Sequence, residues 1–259
     1  MLAAMFALRL LSFVFGLAFL TASARSATLS TNEITALFGA WDGCFVMHDS
    51  QTGLQMRYNA TNCAVRMSPC STFKIPHTLL ALETKVASGP DFPLPWDKVA
   101  RSVPAWNRDH TLESAFQNSV VWYYQELARR IGGAREAEFL KKLGYGNMDI
   151  TGGLTNFWLQ SSLKISANEQ IAFLQRLWAE SLPASVESQR TVKTMMKLSD
   201  QDGRILYGKT GTGTDLGWFV GFLKRGDRVV TFATWISGAQ ATGKEARRIS
   251  ESIFGNIGL

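Results

Sequence analysis

The chain has 259 residues, 46% of them hydrophobic and 19% charged, with a formal net charge of +6. Such a composition fits a folded protein with a sizeable core and argues against disorder. The basic residues are scattered among acidic ones, with no Lys/Arg-rich run and no nucleic-acid motif. That excludes a nucleic-acid partner and leaves a generally basic surface suited to anionic small molecules.

In chain order, Arg9 precedes an apolar stretch from Leu10 to Leu20, closed by Ala22-Ser23-Ala24. The stretch is short for a membrane span and ends in a small-x-small signal, so residues 1–24 read as a secretory leader. The mature protein, 25–259, is expected to start near Arg25 in the periplasm or outside the cell, without membrane contact after cleavage. Asn32 to Gly39 reads as a helix, with Ile34, Leu37 and Phe38 on one face. Cys44 to Met47 and Leu54 to Tyr58 read as a hairpin around the turn Asp49-Ser50-Gln51-Thr52-Gly53. Cys44 and Cys63 flank that hairpin, and an oxidising compartment favours a disulfide between them. Cys70 is then the odd cysteine, a small buried hydrophobe. His48, His77 and His110 lack metal-ligand spacing, so no metal is expected.

A buried helix is expected from Ser71 through Leu82, followed by a proline-rich stretch from Pro90 to Pro104. Trp122–Ile131, Glu136–Leu143 and Asn168–Leu182 carry helical patterns, the first stopped by Gly132-Gly133. Arg204–Tyr207, Leu216–Leu223 and Val229–Ile236 read as strands, and Glu245–Phe254 as a closing helix. Strands at both ends with helices between imply an α/β fold: one sheet built from both termini, with a helical insertion at about 90–200.

The chemistry concentrates in Pro69-Cys70-Ser71-Thr72-Phe73-Lys74-Ile75-Pro76. Residues three apart at a helix start share a face, so the Ser71 hydroxyl and the Lys74 amine should meet. A lysine held out of water loses its charge and can serve as the base that a serine nucleophile needs. The helix N-terminus supplies N–H groups for an oxyanion. Three further signals follow in order: Ser119-Val120-Val121 between two helical segments, Tyr145-Gly146-Asn147 in a turn, and Lys209-Thr210-Gly211 after a strand.

With Phe157-Trp158-Leu159, Leu163-Lys164-Ile165-Ser166 and Gly217-Trp218-Phe219-Val220-Gly221, these motifs resemble the class D (oxacillinase-type) β-lactamases from about Cys44 to the C-terminus. Class A relatives have Ser-Asp-Asn where this chain has Ser119-Val120-Val121, and a glutamate base where it offers Trp158. The chain departs from the family at Cys70, where alanine is usual, and at His77, where asparagine is usual.

The resemblance implies a β-lactamase/transpeptidase-like fold: an antiparallel sheet flanked by helices, with an inserted all-helical domain. It also implies hydrolysis of small β-lactam substrates through an acyl-enzyme on Ser71. Ser119 is expected to relay a proton to the departing nitrogen, and Thr212 to complete the oxyanion hole. Lys209, Thr210 and Gly211 are expected to hold the substrate carboxylate and Val121 to line the pocket. The family's carboxylate-binding arginine has two candidates here, Arg247 and Arg248, of which Arg247 is preferred. No glutamate fills the role of deacylating base. Lys74 is therefore expected to carry a carbamate, with Trp158 bonding to it and carbon dioxide or bicarbonate as its source and no other cofactor. The alternatives are a penicillin-binding transpeptidase or carboxypeptidase and a β-lactam sensor domain.

Overall fold

The structure, a computed structural model, describes residues 29–259, so the leader expected over 1–24 and the start at Arg25 lie outside the described residues. The chain begins with α1 (Thr31–Phe38) and the hairpin β1 (Asp42–Asp49) and β2 (Gln55–Tyr58), then α2 (Ala60–Ala64). A 3₁₀ turn, Cys70–Phe73, runs directly into α3 (Lys74–Glu83). A small ribbon of β3 (Pro93–Leu94) and β4 (His110–Thr111) leads to α4 (Leu112–Gln117), α5 (Val121–Ile131) and α6 (Gly133–Leu143). Then come α7 (Ala167–Trp178) and α8 (Val186–Met195), followed by β5 (Lys197–Gln201) and β6 (Arg204–Gly213). The chain closes with β7 (Leu216–Arg225), β8 (Arg228–Ser237) and α9 (Gly243–Asn256).

The six long strands form one antiparallel sheet in the order β2-β1-β8-β7-β6-β5, so the N-terminal hairpin joins strands from the far end of the chain. Alternation along the central strands assigns each residue to a face. Phe45, Met47, Phe219, Phe232 and Ile236 pack beneath α1 and α9, whereas Cys44, Val46, Trp218, Val220 and Trp235 face α3 and the other helices. Both faces are covered, which is why β7 and β8 read as almost unbroken apolar runs.

α3 is the axis of the larger core: every residue from Lys74 to Leu82 is buried. A helix that is buried all round needs neighbours on every side; Tyr124 of α5 and Trp158 are among its partners. Pro76 is tolerated because it lies in the first turn, where its missing N–H has no intrahelical acceptor.

Three departures from the sequence reading bear on the site. Lys209-Thr210-Gly211 lies within β6 rather than after a strand, since β6 continues to Gly213. The helix expected to reach Leu182 stops at Trp178, and Glu180 takes a left-handed φ of 56° before Pro183. Cys44 and Cys63 do not form the expected disulfide: both are free, buried thiols. They lie within hydrogen-bonding reach of one another, but Cys63 sits on α2 with its Sγ directed at the carbonyls of Phe45 and Tyr58.

Candidate active site

Ser71 occupies the 3₁₀ turn that opens α3. Residues i and i+3 eclipse in such a turn, and Lys74 Nζ donates to Ser71 Oγ at 3.1 Å. Cys70 enters the turn with a φ of 48°, a left-handed conformation that costs a non-glycine residue about 1 kcal/mol or more. Strain of this kind is tolerated where the surroundings dictate the backbone, here beside the nucleophile.

Lys74 is fully buried, 4.8 Å from the centroid of the Tyr124 ring. Burial pushes its pKa well below the ordinary lysine value, and the nearby Lys209 amine pushes in the same direction. No carboxylate opposes that shift, so the surroundings favour the uncharged amine, the form able to take a proton from Ser71.

β5 covers β6 only as far as Tyr207, which frees the end of β6 to lie along the Ser71 turn. That approach requires glycine at 211: a Cβ there would sit 2.8 Å from Pro69 O and 3.3 Å from the Ser71 nitrogen. Lys209, two residues earlier on the same face, bonds through Nζ to Ser119 Oγ and, at 3.1 Å, to the Thr210 carbonyl. It is 4% exposed, and burial lowers its pKa to about 7. Ser119 joins α4 to α5 with a φ of 54°, which turns its hydroxyl to meet a lysine 90 residues away in sequence. Two hydroxyl–amine pairs, Ser71 with Lys74 and Ser119 with Lys209, therefore share one site.

Trp158 forms its apolar wall, stacked on Phe73 at 5.6 Å and 27°. Its indole Nε1–H is buried without an acceptor. Such a donor costs stability unless something else accepts it. Val120, fully buried, belongs to the same cluster as Trp158 and Phe73, while Val121 is half-buried as the first residue of α5.

The remaining expected residues divide. Thr210 alternates to the other face, against Gly243 at the start of α9. Thr212, exposed, accepts from the Gly243 N–H at 2.9 Å and so ties the rim of β6 to that helix. The structure does not bring Arg247 to the site. Its guanidinium lies over Phe219, on the sheet face opposite Ser71, and pairs with Glu251 at 2.8 Å. Arg248 is likewise engaged by Glu245 at 2.8 Å. Only the first residues of α9 approach β6 near Gly211, and one turn later the helix has carried both arginines away.

One contributor escaped the sequence reading. Gln160 bonds both polar groups of its amide to Thr214, accepting at 2.6 Å and donating at 2.9 Å. Its backbone N–H donates to Ser68 Oγ at 2.8 Å, and Ser68 Oγ in turn donates to the Trp158 carbonyl at 3.0 Å. This clasp fastens the Trp158 loop to the β6–β7 turn. A glutamine in a polar turn gives no local signal, although Gly213, which its side chain overlies, hints at close approach. Among the described residues no cluster of His, Cys, Asp and Glu could hold a metal ion, and no helix is long and apolar enough to cross a membrane.

Residues 38–257 match the penicillin binding protein transpeptidase domain family. The probable β-lactamase YbxI of Bacillus subtilis (strain 168) is 41% identical over 242 residues, 92% of this chain and 90% of that protein. β-Lactamase OXA-48 of Klebsiella pneumoniae is 40% identical over 208 residues, 75% of this chain and 78% of its own. A solved class D β-lactamase from Bacillus subtilis superposes with a TM-score of 0.85 at 41% identity, covering 90% of this chain and 99% of that one. With the Ser71–Lys74 and Ser119–Lys209 pairs set around Trp158, this extent of likeness places the chain in the class D β-lactamase family.

Proposed function

We propose that the chain hydrolyses β-lactam antibiotics through an acyl-enzyme on Ser71, with a carbamate on Lys74 supporting deacylation. The observation that carries this reading is the buried Ser71–Lys74 pair at 3.1 Å, with no carboxylate among the partners of either side chain.

Ser71 Oγ attacks the lactam carbonyl carbon. The C–O bond forms, the ring C–N bond breaks, and the serine proton passes by way of Ser119 to the departing nitrogen. The backbone N–H groups of Ser71 and Thr212 are the oxyanion donors. Lys209 receives the substrate carboxylate while it remains cationic, a role the relatives' arginine does not share here because Arg247 is engaged elsewhere.

Lys74 in its neutral form adds carbon dioxide: its lone pair makes the N–C bond, a C=O electron pair becomes carboxylate charge, and one N–H proton leaves to solvent. The group so formed supplies an anionic general base for the water that releases the acyl chain. The residues fit it. Burial favours the uncharged Lys74 amine, and the Trp158 Nε1–H is a buried donor without an acceptor.

The test is turnover of a chromogenic cephalosporin by purified protein, extended to penicillins, oxacillin and carbapenems to define the spectrum. Ser71→Ala should abolish labelling by a fluorescent penicillin and lower hydrolysis by about 10⁴-fold or more. Stoichiometric labelling without turnover would instead indicate a transpeptidase or a sensor. The reading includes export: cleavage after Ala24 would give a mature N-terminus at Arg25, to be checked by mass spectrometry of protein from the periplasmic or culture fraction.

A further inference from the structure

Beneath the reacting groups lies a pair of ionisable side chains that the steps above do not use. His77 of α3 and Glu136 of α6 are 1% and 0% exposed, with Nε2 and Oε1 2.8 Å apart. The contact is at ion-pair distance without the alignment of a hydrogen bond, and none of the four polar atoms has another partner. Burying two such groups costs more than an apolar pair of similar volume would, so packing alone gives no reason for them.

Their placement does. Ser71, Lys74 and His77 follow at intervals of three, so His77 lies one turn below Lys74 on the same side of the helix. Its ring packs against Trp158 at 5.5 Å, Phe73 at 5.2 Å and Tyr124 at 5.5 Å. Tyr124 is also the ring beneath Lys74 Nζ, and its hydroxyl is tied to Thr78 Oγ1 at 2.7 Å. The titratable groups facing the imidazole are Glu136 from α6, Tyr124 from α5 and Lys74 on its own helix. Glu136 reaches the site only through the imidazole.

We infer that His77, anchored by Glu136, is a positioning residue for β-lactam hydrolysis: its ring, wedged between Trp158, Phe73 and Tyr124, fixes the indole whose N–H serves the anion on Lys74 Nζ. This rests on the carbamate reading of Lys74.

The experiment measures bicarbonate activation in the parent protein and in His77→Asn, Glu136→Gln and the double variant. Two readouts are taken at fixed pH: the bicarbonate concentration giving half-maximal turnover, and the carbon-13 carbamate signal from labelled bicarbonate. Both midpoints should rise by about tenfold in each variant, the effect of weakening one charge-assisted hydrogen bond from a displaced Trp158 indole. Saturating bicarbonate should restore turnover. Glu136→Gln is the most telling, because it touches neither Lys74 nor Trp158.

A lower melting temperature with unmoved midpoints would show that the pair only supports the fold and would overturn the inference. So would a loss of turnover that bicarbonate does not restore. A parent protein with neither carbamate signal nor bicarbonate dependence would remove the carbamate itself, and this inference with it. A carbamate in the parent with unmoved midpoints removes this inference alone.

Discussion

Lys209 offers the sharpest quantitative test of the site. Its amine is almost wholly buried and carries a pKa lowered to about 7 by that burial. Free enzyme therefore holds it mostly cationic at pH 6, half so near pH 7, and about one-tenth so at pH 8. The cation is what captures the substrate carboxylate, so kcat/KM should fall about tenfold per pH unit above pH 8. A bound carboxylate favours the charged form and raises the pKa by about one to three units, so the corresponding limb in kcat should lie that much higher. Lys209→Arg keeps its charge at every accessible pH and should flatten the alkaline limb of kcat/KM, whatever it costs in absolute rate. The assay is steady-state hydrolysis of a penicillin from pH 6 to pH 9.5 at saturating bicarbonate, which holds the Lys74 carbamate constant. A limb that survives in Lys209→Arg, or a parent profile flat across this range, would refute the assignment.

Other consequences follow from single contacts. Gly211→Ala forces the added carbon against Pro69 O and the Ser71 backbone, 2.8 and 3.3 Å away; with the nucleophile displaced by a fraction of an ångström, acylation measured by stopped flow should slow by about 10²-fold while circular dichroism stays unchanged. Trp158→Ala removes a buried donor left without an acceptor at the site's wall and should make turnover depend more steeply on added bicarbonate, most visibly at mildly acidic pH, where protonation of nitrogen releases carbon dioxide. A bicarbonate response equal to the parent's would count against Trp158. Cys44, Cys63 and Cys70 are buried free thiols, and burial raises the Cys70 thiol to about 11. Alkylation at pH 8 should therefore reach them only after denaturation, and non-reduced digests should give unlinked Cys44 and Cys63 peptides.

What was legible in the sequence, and what was not, follows from how far apart the cooperating groups lie. Ser71 and Lys74 are three residues apart, so helix geometry alone puts hydroxyl and amine together, and the structure finds them bonded. The amphipathic α5 and the buried strands β7 and β8 announce themselves by period and composition. By contrast, β5 is an exposed edge with no apolar alternation, and it exists because β6 offers it a ladder. The polar helix α8 was equally silent. The meeting of Ser119 with Lys209 needed the motif pattern, because 90 residues separate them.

Arg247 shows the limit of motif reasoning. An arginine near the right place in sequence is not near the right place in space when the helix carrying it lays it on the opposite face of the sheet. His77 and Glu136 show the opposite limit, since each alone is an unremarkable residue on a helix and only the packing of α6 against α3 makes a pair of them. The chemistry of this site is thus written locally in Ser71 and Lys74. What holds them in place is distributed over His77, Glu136 and Gln160, residues whose only connection is the fold.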